Sequence, residues 1–455
     1  MIQTGLIQNA HSDLVTDASY NYYGIRLATC GLDQRIKVWQ LDETNGTWSV
    51  EDDWKAHDAA VSKVSWAHPE FGPIIASSSY DRTVKIWEQI TSASEQQPVT
   101  INGNGAQTQP SSSRWVERAV LLDARGTVRA VEFAPHHFGL KLATISTDNF
   151  LRIYECLEQP SLTIWQLSEE VDVLSIPSHP SPSYHSRAQT VALATPTQSH
   201  APLDGASASL VAQALLQQQG PTSTAPSRPG LGNREADGGW CISWCKDRYW
   251  GEIIAAGCGI TGLIKIIQLS PSRRPTTLLV LDPNNAGQAT PVPALPASKG
   301  SGSKEGSLSG SPSGQGGVNS GTDNEQPIPH SVTSVAWAPS CGRSYHLVAT
   351  GSRDGRVRIW KVKSAPDLDE DDDEVDASEE MVWTATLVAD HDDHKSSVGR
   401  VDWNITGTVL SSAGNDGRIR LWKANVGGSI WRPAGTIGVE QGQNENDHED
   451  VAMQS

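Results

Sequence analysis

The sequence predicts an all-β chain folded as a six-bladed β-propeller. Three observations predict it: a pattern of three short strands recurs six times along 455 residues, an unusual store of Trp (16, against 4 Phe) recurs at fixed places within that pattern, and the length variation falls between copies.

The first element of each copy is a short strand reading apolar-x-x-apolar-x-aromatic. It occurs at Val15/Ala18/Tyr20, Val61/Val64/Trp66, Val128/Val131/Phe133, a weaker Ile242/Trp244, Val332/Val335/Trp337 and Val398/Val401/Trp403. The second and third elements are a small-residue strand, a tight turn holding Asp, and a β-branched strand ending in an aromatic. They read LATCGLDQRIKVW to Trp39, IASSSYDRTVKIW to Trp87, LATISTDNFLRIY to Tyr154, VATGSRDGRVRIW to Trp360 and LSSAGNDGRIRLW to Trp422. The fourth copy, IAAGCGITGLIKII to Ile267, lacks the Asp. The two aromatic landmarks of a copy lie 19 to 23 residues apart, so the unit is rigid.

A blade needs a fourth strand, and candidates lie at 47–54, 115–122, 162–167, 276–281, 382–388 and 429–437. The recurring polar residues fit the WD-repeat form of the fold. There a His before the first strand, a Ser or Thr on the second, the turn Asp and the third-strand Trp join in a buried hydrogen-bonded chain that satisfies otherwise costly groups. His11, Thr29, Asp33 and Trp39 match this spacing, as do His57, Ser77, Asp81 and Trp87, and His394, Ser412, Asp416 and Trp422.

The domain expected is one propeller over residues 1–437, with a disordered tail at 438–455. Insertions at about 90–113, 176–238, 283–329 and 362–380 are expected to be disordered, being too poor in large apolar residues to bury a core. The second and third fall between blades and should leave one face of the disc, the first and last the other. Residues 206–219 could form a short helix carrying Leu210, Ala214 and Leu215 on one side. The ten carboxylates within 367–380 repel one another and are expected to be solvated.

Composition narrows the function. A net charge of −17 argues against general affinity for nucleic acid or anionic membrane. Cys30, Cys156, Cys241, Cys245, Cys258 and Cys341 have neither zinc-type spacing nor a disulfide ladder, which fits a reducing compartment. No secretory signal or transmembrane segment is read, and the acceptor triplet Asn404-Ile405-Thr406 is expected to be fortuitous.

Candidate chemistry dissolves on inspection. Residues 257–262 match G-x-G-x-x-G, but that motif binds dinucleotides only where a strand turns into a helix, and here a β-branched strand follows. The run from Asp390 to His394 is rich in metal-ligating types, yet adjacent residues project apart and His394 already has a place in a blade. Cys241 and Cys245 flank Trp244 with no activating pattern. No catalytic, cofactor or metal residue is assigned, and the chain is expected to be a non-enzymatic scaffold.

The wording of the repeats is itself informative. The stretches WAHPEFG and WNITGTVL, with the surrounding repeats over roughly residues 10 to 170 and 330 to 427, closely resemble the Seh nucleoporin family, a sister of the Sec-type propeller of the secretory-vesicle outer coat. The middle of the chain departs from the likeness through its insertions and fourth blade. The resemblance implies a subunit of the Y-shaped scaffold of the nuclear pore at the nuclear envelope, serving nucleocytoplasmic transport and mRNA export. It also implies a peripheral place in a vacuole- or lysosome-associated complex regulating the TOR kinase. It further implies an open six-bladed ring completed in trans by a blade from an α-solenoid nucleoporin. The alternatives are a vesicle-coat scaffold and a WD adaptor reading short peptides on its face.

Overall fold

A computed structural model describes residues 7–91, 113–159, 161–176, 237–270, 273–285, 330–366, 381–425, 428 and 430–438. Among them, strands β1 (Val15–Tyr20), β2 (Arg26–Gly31), β3 (Arg35–Asp42) and β4 (Thr47–Lys55) form blade one, and β5 (Val61–Trp66), β6 (Ile74–Ser79), β7 (Val84–Thr91) and β8 (Ser113–Leu121) form blade two. Blade three holds β9 (Val128–Phe133), β10 (Lys141–Ser146), β11 (Phe150–Cys156) and β12 (Trp165–Asp172). Blade four holds β13 (Cys241–Trp244), β14 (Ile253–Gly257), β15 (Ile264–Ser270) and β16 (Arg273–Leu281). Blade five comprises β17 (Val332–Trp337), β18 (His346–Ser352), β19 (Val357–Pro366) and β20 (Met381–His391), and blade six β21 (Val398–Trp403), β22 (Val409–Gly414), β23 (Arg418–Ala424) and β24 (Trp431–Gly438). Each is an antiparallel four-stranded sheet in sequence order.

Local chemistry sets this geometry. The second strands are built of small and β-branched residues because both faces are covered; β6 is buried at all six positions. The residue after each turn Asp has positive φ: Gln34, Arg82, Asn149, Gly355 and Gly417, with Gly262 after Thr261 in blade four. At Gly355 a side chain is excluded twice over, since φ is +82° and a Cβ would stand 2.6 Å from the carbonyl oxygen of His394. In all six blades the third and fourth strands slip register at the last position of the repeat, aromatic in every blade but the fourth: between Val38 and Trp39, Ile86 and Trp87, Ile153 and Tyr154, Ile266 and Ile267, Ile359 and Trp360, and Leu421 and Trp422. These bulges bend the outer strand around the large side chain and add twist.

The structure corrects several boundaries. The fourth strand of blade three begins at Trp165, not at 162: Leu162 sits in a turn at φ +55°, its N–H bonded to Glu158 O at 2.9 Å and its side chain buried in the core between blades two and three. Strand β19 continues to Pro366, paired with Met381, so the insertion placed at 362–380 starts five residues too early. Ile176, placed within an insertion, is buried in the core between blades three and four. The acidic run and the short helix at 206–219 lie outside the described residues.

Candidate functional site: braced blades and one open seam

The three sets of recurring polar residues converge. In blade one His11 Nε2 lies 2.8 Å from Thr29 Oγ1, His11 Nδ1 lies 3.0 Å from Asp33, and the Trp39 indole donates to Thr29 Oγ1 at 2.9 Å. In blade two His57 Nε2 is 2.8 Å from Ser77 Oγ, His57 Nδ1 is 2.9 Å from Asp81, and Trp87 donates to Ser77 Oγ at 2.9 Å. One set of protons satisfies both chains: Trp N–H to hydroxyl oxygen, hydroxyl O–H to His Nε2, His Nδ1–H to Asp. Burial alone would raise the Asp33 and Asp81 carboxyls, but the hydrogen bonds from His11 and from His57 and Thr83 outweigh it and hold both below the usual carboxylate range.

Blade six repeats the set with an addition. His394 Nε2 is 2.8 Å from Ser412 Oγ, Trp422 donates to that oxygen at 2.9 Å, and His394 Nδ1 is 3.2 Å from Asp416. Arg420 also reaches Asp416, at 2.7 Å. Blades three and five, where no His was assigned, use this arginine alone. Arg152 donates to Ser146 Oγ and Asp148, each at 2.8 Å, and Arg358 donates to Ser352 Oγ and Asp354, each at 2.9 Å. Against the opposing effect of burial, Arg152 and Ser146 hold Asp148 down to about 2.

This arginine was missed in the sequence although its signal was present. The turn Asp is followed four residues later by Arg in blades three, five and six (Asp148/Arg152, Asp354/Arg358, Asp416/Arg420), and by Lys in blades one and two (Lys37, Lys85), where the ammonium instead pairs with a fourth-strand carboxylate, Asp53 at 3.4 Å or Glu117 at 2.8 Å. An i, i+4 spacing is usually read as a helix face. Here it spans a turn and returns to the same edge of the blade.

Gly257 ends β14, and the rest of residues 257–262 lies in the turn that leads into strand β15. His391 stacks on Trp422 at 4.1 Å while His394 turns into its blade, and no group of three metal-ligating side chains converges among the described residues. Cys241 and Cys245 are buried, which pushes both thiols up to about 12. No helix among the described residues is long and apolar enough to cross a membrane.

The seams between blades are where the structure departs from uniformity. Each closed seam has its own apolar core: Ile36 and Val38 against Val61, Val64 and Trp87 between blades one and two, and likewise for the four seams that follow. The hub is tied by hydrogen bonds from one innermost strand to the next. Thr16 Oγ1 donates to Val61 O and Ser62 Oγ to Val128 O, each at 2.6 Å, and Thr333 Oγ1 donates to Val398 O. The indoles of Trp66 and Trp403 donate backwards, to Ser19 O at 2.9 Å and Ala336 O at 3.0 Å.

Between blade six and blade one, no apolar core is present among the described residues. The third residue after the turn is at most 2% exposed in blades one to five (Ile36, Val84, Leu151, Ile264, Val357), whereas its counterpart in blade six, Ile419, is 42% exposed. On the facing side Val15 is 47% exposed, while its counterpart Val61 is fully buried. Among the described residues, an ion pair spans this seam, Arg400 of β21 with Asp17 of β1.

Six four-stranded blades, with hydroxyl–indole bonds inside blades one, two, five and six, define a WD-repeat β-propeller whose last seam lacks an apolar core among the described residues. The family described as WD domain, G-beta repeat matches residues 3–40, 48–88, 326–361 and 385–423, leaving blades three and four unmatched. Over nearly its whole length the chain is similar to nucleoporins: 32% identical to nucleoporin SEH1 of Saccharomyces cerevisiae, covering 91% of this chain and 94% of that one, and 30% identical to nucleoporin seh1 of Schizosaccharomyces pombe, covering 93% of each. Nucleoporin SEH1 of Homo sapiens is 29% identical over 91% of this chain and 83% of its own. The chain belongs to the SEH1 nucleoporin family.

Proposed function

We propose that the chain is a non-catalytic scaffold subunit of the nuclear pore Y-complex, and that its open seam receives a seventh blade from an α-solenoid nucleoporin. The observation that carries this reading is the pair of uncovered faces. Ile419 and Val15 occupy positions that are buried in the closed seams, so a sheet seated between them would extend the packing used throughout the ring. The exposed edges and faces would be covered by strand addition rather than by a loop contact. The tetrads of blades one, two and six act as internal braces: His, Asp and hydroxyl groups that could serve a reaction are bonded to one another inside the sheets.

The resemblance to Seh nucleoporins supports placement at the nuclear envelope, in nucleocytoplasmic transport and mRNA export, and a second, peripheral role in a vacuole-associated complex regulating TOR. The test is coexpression with the α-solenoid nucleoporin, whole and lacking the β-rich segment beside its first helices. The reading expects a tight, stoichiometric complex with the whole partner and loss of it on deletion. Equal binding by the deleted partner would place the contact on a disc face.

A further inference from the structure

The two ends of the ring are joined at the hub by Asp17 and Arg400, residues 383 positions apart in sequence. Elsewhere neighbouring innermost strands pack directly on one another, β1 on β5 and onward to β17 on β21; at the last seam β21 and β1 make no comparable contact among the described residues. Where Thr16, Ser62 and Thr333 tie their blades to the next, blade six has Gly399, which carries no side chain to donate.

The partners of this ion pair are unequal. Asp17 is 7% exposed and anchored, because its other oxygen accepts the N–H of Val64 in blade two at 3.1 Å. Arg400 is the movable member. Its side chain is a third exposed, and its second nitrogen already bonds Asp402 on its own strand at 3.1 Å. If Arg400 left Asp17 it would keep a carboxylate, whereas Asp17 would need a new donor.

Resting on the reading of the seam as the seat of a partner's sheet, we propose that Asp17 and Arg400 form a releasable clasp. It holds blades one and six together in the free chain and opens when a strand is inserted at the hub. Packed sheets stand about 10 Å apart, so a blade seated between two others separates them by roughly 20 Å, beyond the reach of a direct ion pair. The clasp and the inserted strand therefore exclude one another. The incoming innermost strand is expected to bring a cation or N–H group to Asp17, while Arg400 turns to Asp402. Because Arg400 is a third exposed while Asp17 is buried, the clasp should weaken with salt less than a surface ion pair would, but more than the apolar cores of the closed seams.

The test uses the full chain with Cys341→Ser, since the other cysteines are buried, and spin labels at Tyr20→Cys and Ile405→Cys on either side of the seam. At low salt the inter-label distances should be narrowly distributed. They should broaden and lengthen by several Å in Arg400→Gln, recover in Arg400→Lys, and lengthen in the unaltered pair on raising salt. The same distribution in Arg400→Gln at low salt would overturn the clasp without involving any partner. In the second arm the α-solenoid nucleoporin should associate several-fold faster with Arg400→Gln than with the parent chain at low salt, and the difference should vanish at high salt. Equal rates would overturn release as a step in binding. If the lone chain responds as expected but the partner binds neither form through its β-rich segment, the clasp stands and the seam-occupancy reading falls.

Discussion

Arg152 and Asp148, four residues apart across a tight turn, are bonded at 2.8 Å inside blade three, with the guanidinium fully buried. In blades one and two a histidine from the preceding segment approaches the equivalent carboxylate instead. Two unlike side chains thus solve one problem, the bracing of a turn at the edge of a sheet.

Removing the brace should cost stability. Asp81→Ala leaves the buried His57 Nδ1 without its carboxylate and is expected to destabilise the protein by about 1–3 kcal/mol. Arg152→Gln should cost a similar amount, because it leaves Asp148 semi-buried and uncompensated. Chemical denaturation checks both; unchanged midpoints would show that these chains are not braces.

Acid should loosen the ring in two stages. Burial, outweighing neighbouring charges, lowers His346, His391 and His394 below the usual histidine range. The unfolded chain therefore binds more protons than the folded one below about pH 6.5, and stability falls as pH drops through that region. His346 stands among Trp337, Trp250 and Trp383, at 5.4, 5.7 and 6.1 Å, with Nδ1 buried and unbonded among the described residues. His346→Phe should flatten the pH 7 to 5 slope of the melting temperature. The turn carboxylates, with depressed pKa values, contribute stability above about pH 4 that is lost on further acidification.

A glycine tests the turn. Gly355→Ala should destabilise blade five by about 1–3 kcal/mol, since it combines a positive φ with a Cβ held 2.6 Å from His394 O. Gly417→Ala, at φ +71° with nothing within 4 Å of its Cβ, should cost less. Thermal melts of the two variants rank them, and equal losses would show that the contact with His394 O is not what matters.

The blades were legible because their signal is local. Strand alternation, a turn Asp and a terminal aromatic all fall within about two dozen residues, and the His-to-Trp spacing led directly to side chains that meet in space. The outer strand of blade three was misplaced because Leu162 is apolar for a different reason: it plugs the core from a turn. The arginine braces of blades three and five went unread because their spacing looks like a helix face. The open seam was not legible from the repeats, since Ile419 and Val15 fit the pattern as well as their buried counterparts do. Which copies touch is a property of ring closure, which no single repeat records.

The same comparison gives a mutational contrast. Ile36→Asp places a charge in a fully buried seam and should prevent folding, whereas Ile419→Asp, at a position already 42% exposed, should leave the fold intact, improve the solubility of the lone chain and abolish capture by the α-solenoid partner. Circular dichroism and copurification of both variants check this. Full partner binding by Ile419→Asp would remove blade six from the interface.

Hydrogen exchange of the chain alone and in complex with that nucleoporin tests the central claim most directly. Amides of β1 and of β21 to β23, at the two sides of the open seam, should become strongly protected on binding, while the seams from blade one through blade six keep the protection they already have. Protection confined to the loops of one disc face, with β1 and β23 unchanged, would contradict completion of the ring by a partner's blade.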